Sequence, residues 1–474
     1  MVAAVLLCLV HLGARVVMLD QHRTELGGVE RNVITGIQKL MLDIPLYQDP
    51  ELPPFDVMQY GPGYYLLCAQ VAQWAGVDPL VPHGVFVTSR IVSLLLNLLT
   101  VLLLGYAARL VGADRWMAIL ATLLLFCSFT EPAYSRIDAL HLFFFAAATT
   151  SYLRWCRDGR TGWLALAALL TALSFFSKQS GLLVGGLIAL HLAMERRYRH
   201  SLIFISVLSA LLIAGHTWIY ATWPRDIYLK NTVQGLMNGI NLIALKDLLL
   251  FPVHLFSLGW YALAAWVALR PVGTREQRFL RLAAPLALAI GLVAALKAGS
   301  SLNYLYEGHT LTAVACAALL SGTTITYRRW TTFFLAYALF FMTAKTVLAV
   351  RWVHVYGPDE LHRTNLAADL MVRDVLFVDM GLMPGEYVFI DYRDHLEHLI
   401  PGHVAMAQKD IVYLSRGELF DRRAFHRAMQ DGTVRFAIFD KPTQEVTFLG
   451  RSYPGFVPVR EVAGRYILEF SGRR

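Results

Sequence analysis

A polytopic α-helical membrane protein with a small α/β region at its C-terminal end is the fold this sequence predicts, and three observations predict it. Hydrophobic residues make up 56% of the chain and charged residues only 16%, against roughly 45–50% and about 25% in soluble domains. Apolar runs of membrane length recur up to Val350. Beyond that point they stop, and short β-like runs separated by Gly and Pro take over.

A hydrocarbon core takes about 20 apolar residues per helix. On that measure about eleven spans are expected, near 2–19, 88–108, 116–135, 138–154, 162–177, 180–194, 202–222, 248–269, 280–298, 308–326 and 331–350. Met1 to Leu19 has neither the basic start nor the small-residue cleavage site of a signal peptide and reads as the first membrane helix. The two spans flanking Lys178 are short, as in a bent or incompletely crossing pair. Residues 1–350 are expected to form the membrane domain, with a first outer loop at 20–87, and residues 351–474 an accessory domain.

The net charge of +8 sits in short basic clusters between apolar segments, which is how topology is set. No nucleic acid is expected as a partner. Alternate loops carry Arg109 and Arg115; Arg154, Arg157 and Arg160; Arg196, Arg197 and Arg199; Arg270, Arg275, Arg278 and Arg281; and Arg328 with Arg329. Those loops are read as cytoplasmic, so the intervening loops and, with an odd number of spans, the C-terminal region face outward. The five cysteines have no paired spacing and suggest neither a zinc site nor a disulfide framework.

The first outer loop is the most informative stretch. Seven carboxylates, Asp20, Glu25, Glu30, Asp43, Asp49, Glu51 and Asp56, lie between residues 20 and 65. Two surface helices are expected, over Val33 to Leu42 and Tyr65 to Trp74. Pro45, Pro50, Pro53, Pro54 and Pro62 keep the chain between them extended or turned. A second outer loop runs from Trp223 to Lys246, with Arg225, Asp226 and Lys230, and a third from Lys297 to His309. In the C-terminal region YVFID, RFAIFD and YILEF read as strands around a helix from Gly417 to Gln430. No phosphate loop or dinucleotide glycine pattern is present there, which suits an accessory, acceptor-binding role.

Ionisable residues at membrane depth are functional candidates because desolvating them is costly. Glu30 follows Gly27 and Gly28, which let backbone approach a ligand closely. Asp138 opens the fourth span two residues after Arg136. Two carboxylates brought together can share a divalent cation or deprotonate a hydroxyl, whereas a lone Asp138 serves equally well as an N-terminal helix carboxylate. Lys178 interrupts an apolar run, where it either snorkels to water or binds a lipid phosphate. Asn303, Tyr304 and Glu307 stand just ahead of the tenth span, and Tyr60 and Tyr64 flank a Gly-Pro turn. All five are candidates for binding substrate, set against the plainer reading of a polar turn beside a headgroup-level aromatic belt.

In this order, PLYQDP, YGPGYYLL, SRIDALHLFFF, SKQSGLL and GSSLNYLYE resemble the membrane glycosyltransferases of the GT-C fold. That group includes the aminoarabinose transferases, the protein O-mannosyltransferases and bacterial proteins with the RgtA/B/C/D-like transferase domain. The resemblance spans the membrane part. It implies transfer of a sugar from a polyprenyl-phosphate donor to a lipid, glycan or protein acceptor at the outer face of a bacterial membrane, usually with inversion. It also implies no nucleotide cofactor and leaves room for a divalent cation held by Glu30 and Asp138. Glu30 matches the acidic position after the first span, Asp138 the acid opening the fourth, and Lys178 a basic position near the lipid phosphate. Many relatives carry an adjacent Asp-Glu pair in the first loop, and here Val29 precedes Glu30. The competing function class is a transporter or flippase of lipid-linked glycans. It predicts internal repeats and polar groups spread through the membrane depth, whereas the polar residues here gather at one face. A catalytically inactive scaffold whose outer domain binds cell-wall polymer is the third reading.

Overall fold

The computed structural model describes residues 1–23, 30–129, 134–237, 239–240, 258–297, 302–321, 328–356, 360–392, 395–407, 419–443 and 445–473. Their contacts fall into two units. One comprises Met1–Met18, Ile91–Trp218 and Ile240–Val355, the other Leu19–Arg90, Ile219–Gly239 and Tyr356–Arg474.

The first unit is helical. A helix stands at each of the eleven expected places: Val2–Leu19, Pro82–Leu110, Arg115–Ser128, Asp138–Asp158, Thr161–Ser177, Leu182–Met194, Tyr198–Thr222, Leu258–Ala268, Arg275–Ala294, Tyr306–Leu320 and Arg328–Tyr356. Among the described residues five are long and apolar enough to cross a membrane: Val2–Leu19, Pro82–Leu110, Tyr198–Thr222, Arg275–Ala294 and Arg328–Val355. Parts of the expected spans at 116–135, 248–269, 280–298 and 308–326 lie outside the described residues.

Local chemistry sets the helix ends. Asp114 accepts from the backbone N–H groups of Trp116 and Met117 at 2.8 and 3.0 Å, which caps Arg115–Ser128. At the other end of that helix the buried Arg15 guanidinium donates to the Phe126 carbonyl at 3.0 Å and to the Phe129 carbonyl. A cation thus satisfies carbonyls that no helical N–H can reach. The Thr274 hydroxyl caps Arg275–Ala294 through the Gln277 N–H.

The interruption at Lys178 is a true break. Thr161–Ser177 ends where Lys178 turns extended (φ −148°, ψ 137°), one 3₁₀ turn follows over Gln179–Gly181, and the helix restarts at Leu182. Gly181 is needed there, since a Cβ would lie 2.3 Å from the Phe175 nitrogen and the Ser174 carbonyl carbon.

The second unit brings the loop at 20–87 and the C-terminal region into one body. The two expected loop helices form as Glu30–Met41 and Gly63–Trp74. Gly36 lets them approach, its hypothetical Cβ lying 2.6 Å from the Tyr65 ring. Four strands form one sheet in the order β1 (Tyr387–Ile390), β2 (Val434–Phe439), β6 (Arg465–Phe470), β5 (Phe456–Val462). The β1–β2 pair is parallel and the other pairs antiparallel, while β3 (Val446–Phe448) and β4 (Arg451–Tyr453) make a separate hairpin.

Strand alternation sends β1 residue Phe389 to one face and Val388 and Ile390 to the other. Both faces are covered. Phe425 and Met429 of helix Arg423–Asp431 lie on the first, with Phe55 contributed by the loop at 20–87, and Val372 of helix Glu360–Asp374 lies on the second. The expected helix at 417–430 begins later, at Arg423, and residues 408–418 are outside the description. Helix Glu360–Asp374 was not expected from sequence. Its Asp369 is fully buried and accepts from the Tyr392 hydroxyl (2.9 Å), the His395 and Leu396 N–H groups (3.0 Å each) and Arg465 Nε (3.0 Å).

Candidate functional site

Within the helical unit, three of the motifs supply one buried polar cluster. Asp138 occupies the first turn of its helix, where a carboxylate can act as a cap. It turns to Lys178, whose Nζ donates to Oδ1 at 2.7 Å, and to Asn303, whose Nδ2 donates to the same oxygen at 3.0 Å. Arg136 Nε lies 3.4 Å from Oδ2. The Lys178 ammonium also sits 4.5 Å above the Tyr304 ring, a cation–π distance. Lys297 is within electrostatic reach of Lys178.

Snorkelling does not describe Lys178. Its side chain is only 3% exposed, and so is that of Asp138. The break that ends helix Thr161–Ser177 is what points the lysine at Asp138, since an extended residue projects its side chain away from the helical stripe. A buried carboxylate beside two fixed cations leaves the local field positive, which suits an anionic ligand group.

One turn further along helix Asp138–Asp158, His141 holds Glu307. His141 Nε2 and Glu307 Oε1 are 2.8 Å apart, and His141 Nδ1 lies 2.9 Å from Ser174 Oγ. Because the Ser174 hydroxyl donates to the His141 carbonyl at 3.1 Å, its oxygen is left to accept from Nδ1–H. Ser180 donates to the same Glu307 oxygen at 3.3 Å, tying the 3₁₀ turn after Lys178 to this pair.

The other candidates belong to the loop-containing unit. Glu30 opens its helix fully buried, and both its oxygens accept from Arg90, at 2.9 Å from Nε and 3.0 Å from Nη2. This is the bidentate arrangement in which guanidinium–carboxylate pairs are strongest. Arg90 spends its remaining N–H groups on the carbonyls of Leu19 (3.3 Å), Gln21 (2.8 Å) and Arg23 (3.0 Å). Glu30 thereby fixes the arginine that pins the start of the loop. Gly27, Gly28 and Val29 lie outside the described residues. Tyr60 offers its carbonyl to the Tyr47 hydroxyl at 2.6 Å, and the Tyr64 hydroxyl donates to the Ser89 carbonyl at 3.0 Å. Both interactions shape the Gly-Pro turn from within.

The resemblance leaves room for a divalent cation at Glu30 and Asp138. Such a cation takes several oxygen ligands, and here the carboxylate oxygens are engaged by arginine, lysine and amide donors. Among the described residues no group of three or more His, Cys, Asp or Glu side chains has ligating geometry. Neither carboxylate is part of such a group among the described residues.

Arg90, His141, Ser174 and Ser180 were not singled out from sequence. Arg90 and His141 carried a signal, as a charge and an imidazole inside apolar runs. The two serines carried none, because serine is common in such helices.

Residues 43–223 match the model of the dolichyl-phosphate-mannose-protein mannosyltransferase family, a segment that holds Tyr60, Tyr64, Arg136, Asp138 and Lys178. The resemblance to GT-C membrane glycosyltransferases is thus borne out over that segment. A cryo-EM structure of the arabinofuranosyltransferase AftD from mycobacteria aligns with 97% of this chain at 15% identity and a TM-score of 0.47. This chain spans 39% of that protein's length. No curated protein matches the sequence.

Proposed function

We propose that this chain is an integral-membrane glycosyltransferase that moves a sugar from a polyprenyl-phosphate donor to an acceptor hydroxyl at the outer membrane face, with inversion at the anomeric carbon. The observation that carries this reading is the buried Asp138–Lys178–Asn303 cluster with Arg136 and Tyr304 beside it. Three of its members fall in the segment that matches a family named for a dolichyl-phosphate-linked sugar. All eleven helices cross or enter the bilayer in this reading, and the C-terminal region lies outside with the first loop.

The residue types suit the chemistry. As the acceptor oxygen bonds to the anomeric carbon, the bond from that carbon to the phosphate oxygen breaks and polyprenyl phosphate departs with its charge. Lys178 and Arg136 meet that charge, and they are already oriented by Asp138, so little reorganisation is needed during reaction. Asp138 is in this sense a positioning residue. Glu30 is the carboxylate assigned to take the acceptor proton. Holding donor and acceptor together supplies the remaining rate advantage.

The test is transfer of radiolabelled sugar from a panel of polyprenyl-phosphate donors in proteoliposomes, comparing wild type with Glu30→Gln and Asp138→Asn at matched expression. Transfer by wild type that collapses in both variants is expected. Were no donor to support transfer while labelled lipid crossed the bilayer equally in all three proteins, the transporter reading would replace this one.

A further inference from the structure

The loop-containing unit holds an open pocket of about 740 Å³, a size in the range of small-ligand sites. One wall is the exposed face of helix Arg423–Asp431, where Arg423, Arg427 and Gln430 follow one another at helical spacing. Strand β4 contributes Arg451, and the outer loop contributes Asp49, Glu51 and Leu52. Leu52 and Ala424 are its apolar residues, and the aliphatic stems of the arginines add apolar surface beside the charged groups.

The charges are unevenly matched. Lys230 donates to both Asp49 oxygens at 3.0 Å and to Glu51 Oε2 at 2.7 Å, so these acids already have a counter-charge. Arg423 pairs with Asp421 at 2.6 Å. The Asp421 N–H donates to Glu51 Oε1 at 3.0 Å, which joins the loop wall to the helix wall. Arg427 and Arg451 have no ion pair or side-chain hydrogen bond among the described residues. His426 stacks on Tyr453, and burial together with the charges of Arg451 and Arg422 holds its pKa below the ordinary value, so it is neutral at pH 7.

This pattern selects a ligand class. A bare inorganic anion would gain the two arginines but bring no donors to the carboxylate oxygens. A cationic peptide would find those carboxylates already neutralised and the arginines repelling it. A wholly apolar ligand would cover the charged groups of the lining without offering them partners. A sugar that carries an acidic group satisfies both features, because its hydroxyls donate to the spare carboxylate lone pairs while its anion meets the arginines. We propose that this pocket binds an anionic carbohydrate, with Arg427 and Arg451 taking its carboxylate or phosphate and Asp49, Glu51 and Asp421 accepting from its hydroxyls. Nothing in this assignment requires sugar transfer, so binding is measured without a donor and its outcome is separable from that of the transferase test.

The experiment is calorimetric titration of the full-length protein in nanodiscs with a galacturonic acid hexamer, its neutral methyl ester, a glycerophosphate oligomer and inorganic phosphate. The hexamer, the glycerophosphate oligomer or both should bind, and the methyl ester should bind at least tenfold more weakly than the hexamer if the hexamer is the one that binds. Arg427→Ala and Arg451→Ala should each weaken the oligomer by roughly tenfold, the scale of one charge-assisted contact. Both positions are exposed, so an unchanged thermal transition should accompany the loss. The hexamer and the glycerophosphate arm distinguish a carboxylate from a phosphodiester as the preferred charge. Failure of both oligomers to bind at millimolar concentration overturns the proposal, as does equal binding by the methyl ester, by inorganic phosphate or by the double variant.

Discussion

Replacing Lys178 by Met removes the ammonium while keeping most of the side-chain volume, and it separates two roles that a single loss of activity would confound. The Lys178 and Asp138 side chains are each 3% exposed and meet at 2.7 Å. Removing one member leaves Asp138 buried with Arg136 at 3.4 Å as its remaining cation. Breaking a buried pair in this way costs about 3–5 kcal/mol. Adding Asp138→Asn removes the stranded charge, so the double variant should recover most of that loss, with a coupling energy of about 2–3 kcal/mol between the two sites. Activity should behave differently. If Lys178 stabilises the departing phosphate, its loss lowers transfer by about 10²–10³-fold, the usual scale for one preorganised donor, and the double variant should stay equally slow. Thermal unfolding in detergent and single-turnover transfer in proteoliposomes measure the two quantities on the same preparations. A double variant that regained both stability and transfer would refute the reasoning, because Lys178 would then be serving only to neutralise Asp138.

Other consequences are as specific. Asp369→Asn should destabilise the loop-containing unit by about 3–5 kcal/mol, since it leaves Arg465 without its carboxylate at 3.0 Å inside the fold; protease sensitivity of the C-terminal region reads this out. Gly291→Ala places a Cβ 2.3 Å from the Tyr304 carbonyl oxygen. It should cost about 1–3 kcal/mol in thermal unfolding and raise the KM for donor by displacing Tyr304 from Lys178. His395 supplies a pH dependence. Burial first, then the neighbouring His362, lowers its pKa from 6.5 to about 3. The folded state therefore favours the neutral ring, and the contribution is complete above pH 6.5 and lost as pH falls from 6.5 toward 3. His395→Gln should flatten the acid limb of the stability profile over that window, and an unchanged limb would assign it to other groups.

Much of the helical layout was legible because an apolar run of membrane length has few alternatives to a helix. Even the break at Lys178 showed as a charge inside such a run. The strand segments of the C-terminal region were legible for a similar reason, as short β-branched and aromatic runs bounded by turn residues. Helix Glu360–Asp374 was not, since ELHRTNLAADLMVRD is polar and its buried stripe is only Ala368, Asp369 and Val372. An acid in the middle of that stripe hides the pattern until Arg465 and Tyr392 are seen to satisfy it.

The candidate site divides along the same line. Residue type and setting alone marked Asp138, Lys178 and Glu30, because a charge in an apolar chain is costly wherever it finally lies. Which partner each charge has depended on packing. Lys178 reaches Asp138 across 40 positions, Asn303 reaches it across 165, and Arg90 reaches Glu30 across 60. Chain separations of that size leave no periodic trace in one sequence. Partner choice is a property of the folded contacts, whereas the cost of burying a charge is a property of the residue itself.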